Sequence, residues 1–298
     1  MTTVVSGAGG LIGAALVRQL IARGQPVIRL VRPGHPSDPS SVIWDPASGI
    51  ADIDRLSGAN AVVHLAGENL VGRWTDAKRA AIRQSRVVGT TTLCESLARM
   101  PHPPQTLITA SAIGYYGDRG DERLRDDSAP GLGFLPDVCR AWETATQPAA
   151  RRGIRVAHLR FGVVLGREGG ALAKMLPPFR LGLGGRLGSG RQWMSWITLD
   201  DVVGAIEHVM RTPALRGPIN VVAPTPVTNA DFTKALGRAL HRPAWFPVPA
   251  PVLRAILGDL ADEALLSSLR VEPTKLLASG YRFHDPVLDP ALRRLVGH

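Results

Sequence analysis

Cysteine, tyrosine and lysine are all scarce in this 298-residue chain, and each scarcity closes off a class of chemistry. The two cysteines, Cys94 and Cys139, stand far apart and without metal-ligand spacing, so neither a disulfide scaffold nor a metal centre is expected. Two buried thiols in a reducing compartment are the default. No apolar run reaches the length of about eighteen residues that a membrane span needs, and no basic segment leads into an apolar one as in a secretory signal. The chain is read as cytoplasmic. Acidic residues are outnumbered 25 to 35, for a net charge of +10, yet the basic residues are scattered without a block of five or more. Aromatic residues are only 5% and are not interleaved with the basic ones as a stacking platform requires, apart from one short stretch below. Attraction for phosphorylated small molecules, not nucleic acid, is the simpler meaning of the charge.

What the chain does have is a dense opening unit. Thr3-Val4-Val5-Ser6 is a β-branched run, Gly7-Ala8-Gly9-Gly10-Leu11-Ile12-Gly13 follows at once, and Leu11, Ile12, Ala15, Leu16 and Leu20 recur at helical spacing. Gly24 then supplies a helix stop, and Pro26 to Val31 reads as a second strand. Strand, glycine turn, helix and strand make the β-α-β unit that binds a dinucleotide. The glycines let a pyrophosphate approach backbone N–H groups at a helix N-terminus, where the dipole favours anions. An NAD site places an acid at the end of the second strand, whereas this chain has Val31, then Arg32, and no acidic residue before Asp38. NADP(H) is therefore the expected cofactor.

The spacing of Gly7, Gly10 and Gly13 resembles the short-chain dehydrogenase/reductase superfamily in its extended, sugar-nucleotide-epimerase-like branch. That resemblance implies an α/β fold, a Rossmann-like doubly wound parallel sheet with a small, mainly helical C-terminal substrate lobe. Residues 1–165, with 197–223 returning to them, would form the NADP-binding core; 166–196 and 224–298 would form the substrate lobe and C-terminal extension. It also implies cofactor contacts from Gly7, Gly10, Leu11, Ile12, Gly13 and Arg32, from the strand end Leu65-Ala66-Gly67, from Ala110, and from Phe161-Gly162. His64, inside an apolar strand, is read as a core residue.

The family's Tyr-x-x-x-Lys pair, whose lysine lowers the tyrosine pKa for proton exchange, is missing. Tyr115, Tyr116 and Tyr281 are followed four residues on by Arg119, Gly120 and Asp285. In the helix that should hold the pair, Glu143 is retained while Cys139 and Leu135 stand in the Lys and Tyr positions, and Arg86 stands where the family has an active-site Asn. Together with a C-terminal segment around Val271 to Phe283, this looks like an atypical group of nucleoside-diphosphate-sugar epimerase-like proteins. Ser111, at the end of a strand and one residue further than usual from its Tyr-Gly, becomes the candidate for orienting a substrate oxygen, with Tyr115, Tyr116 and Glu143 as candidate acids or partners. Glu68, Asn69, Arg186, Arg191, Trp193 and Trp196 are candidate substrate residues: the loop pair faces the cleft, the arginines suit phosphate, and the indoles can stack on a sugar or base. No metal, membrane or nucleic-acid partner is expected. The favoured expectation is an NADP-dependent oxidoreductase or epimerase-like protein acting on a sugar nucleotide or a related small carbonyl or alcohol; the alternative is a non-catalytic NADP(H)-binding sensor or regulatory protein.

Overall fold

The computed structural model describes residues 1–35 and 38–297. Eight strands share one sheet: β1 (Thr3–Ser6), β2 (Val27–Val31), β3 (Ser41–Asp45), β4 (Gly49–Ile50), β5 (Ala61–His64), β6 (Thr106–Ala112), β7 (Arg155–Phe161) and β8 (Gly217–Val221). Their order is β8-β7-β6-β5-β1-β2-β3-β4, and every pairing is parallel except the β3–β4 hairpin. The chain therefore runs outward from β1 to β4 and restarts at β5 on the other side of β1. That reversal opens a crevice beyond the carboxyl ends of β1 and β5, where ligands of open α/β sheets bind.

Helices cover both faces of the sheet, so both sets of alternating side chains are apolar. On one face Val5, Val63, Ile108 and Leu159 pack against Leu16 and Leu20 of α1 (Leu11–Ala22), and against Val202, Ile206 and Val209 of a helix introduced below. On the other face Val4, Val62 and Leu107 meet Leu93 and Leu97 of α2 (Asp76–Ala98). Next in the chain come α3 (Phe134–Thr144), α4 (Gln147–Arg151), α5 (Gly170–Arg180), α6 (Leu199–Arg211) and α7 (Asn229–Leu240). The first-face helix is α6. A further apolar cluster joins Leu172 and Phe179 of α5, Phe232 and Leu236 of α7, buried Trp196, and Leu288, Leu292 and Leu295 from the C-terminal region.

Three local features shape α6 and the C-terminal region. The cap of α6 is Thr198, whose side chain accepts from the Asp201 N–H, and not Asp200, which pairs with Arg294. Asp201 is buried and accepts from the Tyr281 hydroxyl and from the His284 and Asp285 N–H groups, which ties the C-terminal tail to α6. The sequence from Leu253 to Leu269 reads as helical, but the helix is broken: α8 (Ala250–Leu257) stops at Gly258, whose φ of 61° is left-handed, and a π-helical turn spans Ala261–Leu265. After α9 (Thr274–Ala278), a last helix, α10 (Leu288–Val296), buries Leu288, Ala291, Leu292, Leu295 and Val296 against α7 and Trp196.

Candidate cofactor cleft and active site

A cleft of about 640 Å³ lies at the strand reversal, walled by Gly7 to Gly10, by Leu30, Val31, Arg32 and His35, and by Leu65-Ala66-Gly67. The glycines are required by close approach. A Cβ on Gly7, which has φ 70°, would sit 2.8 Å from the Leu65–Ala66 peptide, and one on Gly13 would lie 2.2 Å from the Gly7 carbonyl oxygen. Gly10 caps α1 with no side-chain hydrogen bond, so the first-turn N–H groups of Leu11 and Ile12 meet no capping side chain. This uncapped, cationic helix end beside a roomy crevice fits a dinucleotide diphosphate.

At the far end of the cleft, Arg29 is paired with Asp38, and hydrogen bonds from Ser40 and Arg29 hold that carboxyl below its usual range. Arg32 is exposed and makes no ion pair among the described residues. A free guanidinium beside a neutralised acid fits a 2′-phosphate. Behind Gly67, Arg86 places its guanidinium 3.5–3.6 Å from where a Gly67 Cβ would be, donates to the Glu68 and Ile82 carbonyls, and stacks on Trp142. Burial lowers its pKa from the ordinary arginine value, and no carboxylate pairs with it among the described residues.

The catalytic candidates meet around a residue that sequence reasoning did not single out. Arg160, on β7, is 2% exposed and donates to both Glu143 oxygens at 2.8 Å. Ser111 donates to Glu143 Oε1 at 2.8 Å. Arg160 also donates to the Tyr116 hydroxyl at 2.9 Å, and its guanidinium lies 3.4 Å from the centre of the Tyr115 ring. Burial alone would lower the Arg160 pKa; hydrogen bonds and charge from Glu143 outweigh it and raise the value. Tyr116 is fully buried, its one hydroxyl proton is shared between Asn220 Oδ1 at 2.6 Å and the Arg125 carbonyl at 2.8 Å, and burial pushes its phenol up to about 12, with Arg160 partly offsetting this. Tyr115 is half-buried, and its hydroxyl takes no partner among the described residues. Cys139, in the lysine position, has its thiol pushed up to about 12 by burial first and by Glu143 second. The clue to Arg160 in the sequence was a charge set directly between the apolar Leu159 and Phe161 at the carboxyl end of a strand.

Beyond the ends of β6 and β7 lies a second cavity, of about 260 Å³, bordered by Leu70, Ala112, Gly114, Phe161, Gly162 and Met175 among others. On β6 the alternation sends Ala112 to this cavity and turns Ser111, 2% exposed, towards Glu143. Of the expected substrate residues, Trp193 lines the cavity and donates from its indole to Asp121 at 2.7 Å. Trp196 is fully buried behind it, bonded to the Thr225 carbonyl. Arg186 and Arg191 are exposed and outside the lining. Glu68 is paired with Lys78 at 2.6 Å, which holds its carboxyl below the usual range, and Asn69 accepts from the Val71 N–H in a local turn. Glu263, from the π-helical turn, reaches the cavity wall while accepting from the Phe134 and Leu135 N–H groups of α3. His64 is a core residue: it contacts Ser6 Oγ at 2.6 Å and Thr90 Oγ1 at 3.1 Å, and desolvation lowers its pKa to about 4. No cluster of metal-ligating side chains occurs, and no helix is long and apolar enough to cross a membrane, among the described residues.

Residues 3–222 match a model of the NAD dependent epimerase/dehydratase family, and residues 248–295 match a domain of unknown function, DUF1731. Epimerase family protein Mb2239 of Mycobacterium bovis is 44% identical over 97% of this chain and 95% of its own length. Epimerase family protein SDR39U1 of Bos taurus is 38% identical over 99% of this chain and all of its own. A crystal structure of human SDR39U1 (isoform 2) with NADPH superposes with a TM-score of 0.90 at 35% identity, covering 99% of both chains. UDP-sugar complexes such as that of the Thermotoga maritima UDP-glucose 4-epimerase, at 19% identity and a TM-score of 0.76, share the fold.

Proposed function

The chain belongs to the NAD dependent epimerase/dehydratase family, and from that premise we propose that it is an NADP(H)-dependent oxidoreductase acting on a small carbonyl or alcohol. The observation that carries this reading is the alignment of two cavities along one edge of the sheet. Arg32 marks the end of β2 and Ala112 the end of β6, three strand intervals away in the order β2-β1-β5-β6. At a spacing of about 4.8 Å per strand, that is roughly 14 Å, a span suited to an extended dinucleotide. The diphosphate is assigned to the N–H groups of Gly10, Leu11 and Ile12, with Gly7 and Gly13 leaving it room. Arg32 would hold the 2′-phosphate, the Leu65-Ala66-Gly67 backbone would lie alongside, and Ala110, Phe161 and Gly162 would border the nicotinamide.

When bound, NADPH would supply the hydride that reduces a carbonyl carbon, being oxidised to NADP⁺, and the protein must deliver one proton to the carbonyl oxygen. Tyr115 stands next to the wall residue Gly114 but does not line the cavity itself; of the two phenols it is the proposed proton donor, acting through an intervening water, because Tyr116 is held as a buried hydrogen-bond donor with its phenol pushed up to about 12. Ser111, Glu143 and Arg160 are positioning residues: the buried ion pair fixes the cation beneath the Tyr115 ring. NADPH oxidation with a panel of small carbonyls tests the proposal. Turnover is expected in the native protein, and Tyr115→Phe is expected to lower kcat by about 10²-fold or more with NADPH affinity unchanged. Tight NADPH binding without oxidation by any carbonyl would sink it.

A further inference from the structure

The 260 Å³ cavity presents a mainly apolar face, because the protein already uses most of the polar groups around it; only Gln192 Oε1 and Asn229 Nδ2 among the wall amides take no partner within the described residues. Gln192 donates to the Leu187 and Leu265 carbonyls, both at 3.1 Å. Ser195 donates to the Leu269 carbonyl at 2.8 Å and accepts from the Val271 N–H at 2.9 Å. Asn229 accepts from the Leu187 N–H, Ser267 donates to the Glu263 carbonyl, and Trp193 is bonded to Asp121. The remaining wall is leucine, isoleucine, valine, methionine, phenylalanine, alanine and glycine. No lysine, arginine or histidine lines it, and its one ionisable side chain is Glu263, which carries the wrong sign for a phosphorylated ligand.

We infer that the substrate of this site is a small, uncharged and mainly apolar ketone, aldehyde or the matching alcohol, and not a nucleoside-diphosphate sugar. The inference rests on the proposed function, which makes this cavity the substrate side of the NADP(H) cleft. A diphosphate is recognised by guanidinium or ammonium donors, and the cavity offers none. Each sugar hydroxyl buried against apolar carbon without a partner costs about tenfold in affinity or more. The volume lies just below the usual range of roughly 300–1,000 Å³ for ligand pockets, which also points to a small occupant.

The test is calorimetric titration of the NADP⁺-loaded protein with 2-alkanones from propanone to octan-2-one, and with UDP-glucose. NADP⁺ has no hydride to give, so the readout is binding and not turnover. Affinity is expected to rise about fourfold per added methylene until the cavity is filled, then level or fall, with no UDP-glucose binding. Ala171→Leu, which adds carbon to the wall, shifts the break to a shorter ketone, and Met175→Ala shifts it to a longer one. UDP-glucose binding tighter than any ketone, a flat chain-length series, or a break point that neither variant moves overturns the inference. NADPH oxidation by the same ketones is scored separately: its absence refutes the oxidoreductase reading while leaving the binding series to judge the cavity.

Discussion

Replacing Arg160 with Met removes the positive charge beneath the site while keeping most of the side-chain volume. Arg160 is 2% exposed and its partner Glu143 has a side chain 13% exposed, so the variant strands a carboxylate that water barely reaches. Breaking a buried pair from one side costs about 3–5 kcal/mol, against about 5–15 kcal/mol for a whole folded domain. The loss also leaves the Tyr116 hydroxyl and the Asp126 carbonyl without an Arg160 donor. Glu143→Gln is milder, because an amide oxygen still accepts from Ser111 or Arg160, although the guanidinium then faces a neutral partner. The double variant removes both charges together and is expected to be less destabilised than the sum of the singles, by about 1–3 kcal/mol. Urea unfolding of the four proteins, followed by tryptophan fluorescence, measures the coupling. A cost below about 1 kcal/mol for Arg160→Met, or strict additivity in the double variant, would refute the assignment of the pair as one buried unit. In the folded fraction, kcat is expected to fall more than NADPH affinity, since the pair positions Tyr115 and not the cofactor.

Three further outcomes follow from the same geometry. Arg32→Ala is expected to weaken NADPH by about tenfold at physiological salt and leave NADH unchanged: charge-assisted hydrogen bonds to phosphate are lost, but at an exposed site where screening discounts them. Equal effects on the two cofactors in a fluorescence titration would remove Arg32 from the 2′-phosphate. Arg86→Met is expected to weaken NADPH and NADH alike while raising the melting temperature of the ligand-free protein, because a half-buried cation without a carboxylate partner is costly until an anion arrives; a lowered melting temperature with unchanged binding would contradict this. His64, with a folded pKa near 4 against about 6.5 unfolded, binds its proton less readily in the folded state. Its contribution is thus present above pH 6.5 and is lost as pH falls towards 4, by about 3 kcal/mol in all. His64→Gln should flatten the stability profile across that window, and an unchanged slope by urea unfolding would show that other groups carry it.

The cofactor half of the fold was legible because its constraints are local. Gly7, Gly10 and Gly13 mark a turn whose geometry is set within ten residues, and the missing acid after Val31 is read directly from the chain. The main strands were legible for a related reason: apolar runs such as Ala61 to His64 are buried on both faces and need no partner to be recognised. The substrate half was not, because its contacts are made across long sequence separations. Glu263 reaches α3 across more than a hundred residues, and the break at Gly258 that places it looks from the sequence like a tolerated glycine in a long helical pattern. Trp196 shows the same limit from the other side. Aromatic identity cannot tell a stacking surface from a core filler; only the cluster with Phe232 and Leu292 makes that distinction.

Losing the lysine from α3 changes where the site keeps its charge. Cys139 cannot take over, since a thiol with its pKa near 12 carries no charge near neutral pH. Positive charge reaches the same neighbourhood from two other elements, Arg86 on α2 and Arg160 on β7, both close enough to favour a Cys139 thiolate electrostatically. Arg86, without an acidic partner, donates to the Glu68 and Ile82 carbonyls and stacks on Trp142, whereas Arg160, locked to Glu143, bonds to the Tyr116 hydroxyl and lies against the Tyr115 ring. A lysine at position 139 would add a third buried cation between these two guanidiniums, and mutual repulsion would cost it its proton or displace Arg86. Cys139→Lys should therefore fail to restore a faster proton transfer in the otherwise native protein. The pairing of Arg86 and Arg160 with an uncharged residue at 139 is one electrostatic solution, and it holds together only as a set.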